Sequence, residues 1–248
     1  MAEYILEAEH LSKRFYNRNK SGKEIREEHA AVDDVSFRVA KGECLGLIGE
    51  SGSGKSTTAY MTAGLLKPDA GQIHFHGKHM QMVFQDPMKA MNPRKKVLDS
   101  ICEGLIYRRN GLSREQIRGK ALEAMDMVQL DRAYAGRYSR ELSGGECQRA
   151  TIARAILIHP ELLICDEVTS ALDVSVQAQI VQLLDKLKKQ LNLSYLFISH
   201  DIALVSSLCD RVVVMYHGKI VEQGKTMDVI KKPKEVYTKQ LIASVLTL

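Results

Sequence analysis

Three short stretches of this 248-residue chain carry residue types that can do chemistry on a phosphate. The first, "GESGSGKST" at residues 49–57, fits the pattern G-x-x-x-x-G-K-[ST]. Gly49, Gly52 and Gly54 let successive backbone N–H groups turn inward on phosphate oxygens, with Ser51, Ser53 and Thr57 completing the cradle. Lys55 can reach the β- and γ-phosphates of ATP or GTP, and Ser56 can offer its hydroxyl to Mg²⁺. The second stretch, "LLICDE", ends an apolar run in Asp166 and Glu167. Of two adjacent carboxylates, one can hold Mg²⁺ while the other orients or deprotonates an attacking water. In the third, "LSGG", Ser143, Gly144 and Gly145 stand at a predicted helix start, which also suits a phosphate. The chain therefore carries two phosphate-suited sequences, of which only the first is a complete cradle.

The elements that must position these residues follow from hydrophobic spacing. "YILEAEHL" and "AVDDVSFRV" read as strands, with the polar "NRNKSGKEIREEH" between them as a solvated loop. After the turn "AKGE", the apolar strand "CLGLIG" runs into the glycine loop, and the helix "TTAYMTAGLL" follows it. "GQIHFHG" and "MQMVFQ" are two further short strands. Residues 89–142 change character and read as a helical insertion. Val97, Leu98, Ile101, Leu105 and Ile106 share one helical face, and Asn110-Gly111 can end that helix. Ser113 with Gln116 forms a capping-box pattern ahead of Ile117, Ala121, Met125 and Val128 at helical spacing. A helix then follows "LSGG", and after it come the strand "LLIC", a long helix and the strand "SYLFISHD". The hairpin "RVVVMYHGKIVEQG" turns at His217-Gly218, and a short amphipathic tail closes the chain. This alternation predicts a parallel sheet with packed helices. Ligands meet such sheets at the C-terminal ends of strands, which puts Asp166 and Glu167 beside the phosphates.

Composition narrows the classes. Hydrophobic residues make up 45% and charged residues 26%, ordinary for a globular protein. No apolar run approaches the roughly 18–20 residues of a membrane span, and acids occupy the place of a secretory signal's basic start. A cytoplasmic location is expected. The net charge of +5 is mild and interleaved with acids, which does not suggest a nucleic-acid partner. The five cysteines are scattered without a C-x-x-C pair, as expected for reduced thiols. His74 and His76 share a predicted strand face, but no third or fourth metal ligand is evident nearby.

Singly, "FQDP", "SALD" and "ISHD" say little. In order, however, phosphate loop, Gln85, "LSGG", "CDE", "SALD" and His200 form the motif series of ATP-binding-cassette (ABC) ATPases. The sequence resembles that family over essentially its whole length. The resemblance implies a P-loop NTPase cassette of α/β class, with a mostly parallel core sheet, an antiparallel β subdomain and a helical insertion. On that basis residues 1–88 and 143–230 form the nucleotide-binding core, 89–142 the helical subdomain and 231–248 a tail. Gln85 is similar to the glutamine that senses Mg²⁺ and the attacking water, at the segment that meets the membrane subunit. Asp173 matches the family's D-loop, and His200 the switch histidine that contacts the γ-phosphate. Phe15, or the adjacent Tyr16, is the expected adenine-stacking aromatic. The resemblance also answers the riddle of the second phosphate sequence. Two cassettes pair head to tail, and Ser143, Gly144 and Gly145 of each cap the ATP of the other. Two departures stand out: Glu146 where glutamine is commonest, and Val168 after "CDE".

"MVFQDPMKAMNPR", "TSALDVSVQAQIVQLL" and "PKEVYTKQL" resemble the branch that imports oligopeptides, dipeptides and nickel. The implied partners are two transmembrane permease subunits, a solute-binding protein and a second ATPase chain, the same or similar. The implied location is the inner face of the cell membrane, with ATP and Mg²⁺ bound. A non-transport cassette acting on nucleic acid or ribosomes is the alternative, and a nucleotide kinase is disfavoured by "LSGG" and His200.

Overall fold

The computed structural model describes residues 3–18, 24–108 and 111–246. In chain order its strands are β1 (Tyr4–Arg18), β2 (Glu24–Ala40), β3 (Cys44–Ile48), β4 (Ala70–Phe75), β5 (Met80–Val83), β6 (Leu162–Asp166), β7 (Ser194–Ile198), β8 (Arg211–Tyr216) and β9 (Lys219–Lys225). Its helices are α1 (Lys55–Thr62), α2 (Pro87–Ala90), α3 (Val97–Ile106), α4 (Arg114–Met127), α5 (Gly144–Ile156), α6 (Val174–Leu191), α7 (Ile202–Leu208), α8 (Thr226–Lys231) and α9 (Val236–Leu246). The chain separates into two compact units, Met1–Gly77 with Leu196–Leu248, and Lys78–Tyr195.

In the first unit β1 pairs antiparallel with β2 on one side and β4 on the other. Val35, Phe37 and Val39 are buried while Arg38 between them is exposed, the period-two pattern of a sheet with one wet face. The predicted loop over residues 17–29 is largely strand instead. β1 runs on to Arg18 and pairs Asn17 with Ile25 and Arg18 with Glu24, while residues 19–23 lie outside the described residues. Antiparallel neighbours share backbone bonds whatever their side chains, so a hairpin can extend through polar sequence that apolar alternation does not mark. The second sheet of this unit sets β3 parallel to β8, with β9 antiparallel beyond it and Leu196–Ile198 of β7 on the far side of β3. β3 is buried throughout and Val212–Met215 are fully buried, the signature of strands covered on both faces. The β8–β9 turn has positive φ at both His217 (47°) and Gly218 (79°), as a two-residue hairpin demands.

In the second unit β5 lies parallel to β6. The described residues of 89–142 form helices and turns, and the predicted apolar faces are buried: Val97, Leu98, Ile101 and Leu105 on α3, Ile117, Ala121 and Met125 on α4. Ile106 departs from its face and is exposed, because α3 ends there with Tyr107 as its cap. The predicted stop at Asn110 falls on a residue outside the described ones. The Ser113–Gln116 capping box is present, with bonds of 3.2 and 2.8 Å. The architecture is α/β, with mostly parallel pairing in the core sheet, a separate antiparallel sheet and a helical segment.

Candidate nucleotide-binding and catalytic residues

In the first unit β3 delivers the chain into the glycine loop, and α1 takes it away. A Cβ on Gly49 would stand 2.3 Å from the Met215 carbonyl oxygen, and one on Gly54 2.3 Å from that of Ala31. Both glycines also have positive φ, 151° and 104°. Only glycine fits either place. Around Gly52, by contrast, a Cβ would find open space, so the middle of the loop faces a vacant side. The N-cap of α1 is Gly54, which has no side chain to offer, so no side-chain bond closes this helix start. Lys55 is buried and its Nζ donates to the carbonyls of Gly49 and Glu50, at 2.7 Å each. Ser53 Oγ is buried with no hydrogen-bond partner. Glycines shaped for close approach, a coiled lysine and an orphan hydroxyl fit a phosphate group. Ser51 is exposed, while Ser56 and Thr57 sit half-buried at the start of α1.

Phe15 of β1 is 45% exposed, with Lys13 Nζ 5.9 Å from its ring centroid. Its ring is available for stacking, whereas the side chain of Tyr16 lies outside the described residues. His200 is exposed just beyond β7. There Asp201 caps α7 by accepting from the amides of Ala203 and Leu204, which ends the strand two residues before His200.

The second unit holds the acids. Asp166 ends β6 at 1% exposure, and Glu167 follows with a left-handed φ of 46°. The turn aims the two carboxylates differently, one buried and one half-exposed. Gln85, 82 positions away, donates from Nε2 to Glu167 Oε2 at 2.9 Å. Ser170 joins them: its hydroxyl donates to the Glu167 carbonyl at 3.0 Å and lies 3.4 Å from Gln85 Nε2. Ser170 lies inside the quoted "TSALD" stretch, yet sequence reasoning passed over its hydroxyl. β5 stops at Val83, so Gln85 sits past the strand, and Asp86 next to it caps α2. The carboxylate of Glu167 is therefore oriented by the Gln85 amide, the arrangement a positioned general base needs.

Ser143 caps α5 reciprocally. Its hydroxyl accepts from the Glu146 amide at 3.3 Å, and Glu146 Oε2 accepts from the Ser143 amide at 2.7 Å. Tyr134, unmarked in the sequence reading, donates its hydroxyl to Glu146; that bond first, then the Ser143 amide, holds the carboxyl below its ordinary range. The departure at Glu146 thus completes a cap that Gln could also complete. Asp173 caps α6, and its carboxyl is held low by the Ser175 hydroxyl (2.7 Å) and then by the Val176 amide (3.0 Å). Gly144 and Gly145 let this neighbour come close: a Cβ on Gly145 would stand 2.7 Å from Val176 Cγ1, and one on Gly144 3.2 Å from Leu172 Cδ2. The structure thereby brings the "LSGG" helix start against the loop bearing Asp173. Val168, the other departure, is simply buried at 2% exposure.

The remaining candidates divide as follows. His76 Nε2 lies 3.1 Å from Glu7 Oε1, beyond the end of β4, and among the described residues no group of three or more potential ligands could hold a metal ion. The five cysteines are buried thiols outside any disulfide, and burial pushes the Cys147 thiol up to about 11. Among the described residues no helix is long and apolar enough to cross a membrane.

The description "ABC transporter" matches residues 32–170. The chain is 40% identical to the oligopeptide transport ATP-binding protein OppF of Bacillus subtilis, across 99% of this chain and 83% of that protein. It is 42% identical to the OppF protein of Haemophilus influenzae, across 98% and 78%. Among solved structures, cbiO1 from Clostridium perfringens, part of an ABC transporter complex, superposes with a TM-score of 0.77 at 27% identity, covering 99% of this chain and 95% of that one. A dimeric bacterial ABC transporter cassette does so with a TM-score of 0.78 at 25% identity, covering 90% and 99%. With that fold, that motif series and 40% identity along nearly its whole length, the chain belongs to the ABC transporter family, as one of its ATP-binding cassettes.

Proposed function

We propose that this chain is the ATP-hydrolysing subunit of an importer for oligopeptides. The observation that carries the reaction is Glu167, presented beside buried Asp166 and oriented by Gln85 at 2.9 Å. Glu167 takes the proton of the attacking water, and Gln85 keeps its carboxylate aimed. Ser56, Asp166 and Gln85 would hold Mg²⁺, which would supply neutralisation of the charge on the phosphates. Lys55 and the loop amides of residues 49–57 bind the phosphates, Phe15 stacks on adenine, and His200 contacts the γ-phosphate. Ser143, Gly144, Gly145 and Asp173 face a second cassette in a head-to-tail pair, a reading supported by the dimeric state of the cassette that superposes on this chain.

Residues 89–142 serve as the helical subdomain facing two permease subunits, which receive peptide from a solute-binding protein. The chain works at the inner face of the membrane, and a role on nucleic acid or ribosomes has no support in the relatives' names. Those names favour oligopeptides over nickel-type ligands. The test is uptake of a labelled oligopeptide and of labelled nickel in cells lacking the gene. Loss of peptide uptake with nickel uptake intact is expected; loss of nickel uptake alone overturns the assignment.

A further inference from the structure

The phosphate loop has a support that no motif announces. Tyr237, in the first turn of α9, accepts from the Glu50 amide with its hydroxyl at 3.0 Å, across 187 positions of sequence. Its ring lies on Tyr216, with centroids 4.1 Å apart and planes 30° apart, and Tyr216 in turn lies 4.1 Å from His217. Next to His217, the Gly218 amide donates to the Ser53 carbonyl at 3.0 Å, and the Asp33 amide donates to the Gly218 carbonyl at 2.8 Å. The loop is therefore gripped at Glu50 and at Ser53 by one assembly, the β8–β9 turn and the helix seated against it.

Glu50 is the residue where this grip matters. Its carbonyl accepts from Lys55 Nζ at 2.7 Å and from the Ser53 amide at 3.2 Å, so its peptide groups are engaged on both sides. Lys55 is also the group that a phosphate draws toward itself. Once the ammonium leaves the Gly49 and Glu50 carbonyls, those carbonyls lose their strongest partner. The hydroxyl of Tyr237 makes no such choice. It binds the amide side of Glu50, and the stack on Tyr216 fixes it there.

We propose that Tyr237 is a positioning residue for the phosphate loop, its hydroxyl holding the Glu50 amide so that the loop keeps its shape when Lys55 turns to nucleotide. The inference rests on the ATP-binding reading above. Through it the tail helix is a working part of the nucleotide site, and whatever displaces α9 loosens the loop.

The test is Tyr237→Phe in the full chain, which keeps the ring stack and removes one oxygen. ATP affinity is measured by titration, the melting temperature without nucleotide by calorimetry, and exchange of the Glu50 amide by NMR. The expected result is ATP binding weakened about 3- to 10-fold, the size of one net hydrogen bond. The Glu50 amide exchanges faster, and the nucleotide-free melting temperature falls by no more than about 4 °C, the cost of one hydrogen bond in a chain of this size. Unchanged affinity, or unchanged Glu50 exchange, overturns the proposal. So does a fall in melting temperature large enough to account for the lost binding, since that marks a merely structural contact. A wild-type chain that fails to bind ATP defeats the functional reading instead, so the two failures are distinguishable.

Discussion

Replacing Glu167 by Gln separates catalysis from folding more sharply than any other single change. Glutamine has the size of glutamate and can still accept from Gln85 Nε2, so the 2.9 Å contact survives. The left-handed backbone at this position, φ 46°, strains both residues equally. What changes locally is one hydrogen bond, from charged to neutral, worth roughly 1 kcal/mol. For a chain of this size that moves the melting temperature by about 2–4 °C. The missing base is the larger loss. General-base assistance contributes about 10²- to 10⁴-fold, or roughly 3–5 kcal/mol of barrier. The catalytic effect thus exceeds the structural one severalfold. The assay is phosphate release by the transporter reconstituted in vesicles, with ATP affinity measured alongside. ATP affinity should hold within about twofold while kcat drops at least a hundredfold, roughly, and ATP-bound dimers should accumulate. A kcat within about threefold of wild type would assign the proton to another group. A parallel loss of ATP affinity would make Glu167 a binding residue and refute the reasoning as well.

Three further outcomes are expected. In a dimer carrying Ser143→Arg in one chain and Lys55→Ala in the other, action across chains puts both lesions on one composite site. One fully capped ATP per dimer is then retained, whereas action within a chain leaves two half-built sites; nucleotide occupancy per dimer decides. Gly145→Ala forces a Cβ to 2.7 Å from Val176 Cγ1 and should cost about 1–3 kcal/mol, while Gly119→Ala, in open space on α4, should stabilise by roughly 0.5–1 kcal/mol; calorimetry on both reads the contrast. The Cys147 thiol, raised to about 11 by burial, stays protonated as pH rises through 8 and 9 and forms thiolate only as pH nears that value. Mass spectrometry should therefore find Cys147 unmodified after iodoacetamide treatment of the folded chain at pH 8, and labelled once the chain is unfolded.

What the sequence determined by itself was whatever depends on neighbours in the chain. The Ser113 cap and the His217–Gly218 turn are each closed within a few residues, so local propensity and geometry coincide there, and the glycine loop is marked by its own short run of residues. The buried runs of β3, β6 and β8 were legible for the same reason, since burial on both faces leaves continuous apolar sequence. Polar strand was not legible. Around residues 17–29 pairing comes from backbone groups that every residue carries, and side-chain pattern is silent about them. The site was readable as a set of motifs and unreadable as a set of contacts. Gln85 meets Glu167 across 82 positions, and Tyr237 meets Glu50 across 187. A single hydroxyl or amide at such distance leaves no periodicity behind it. Only the packing of strands, turns and α9 decided which oxygen would find which N–H, because a hydrogen bond tests position to a few tenths of an ångström and sequence spacing does not.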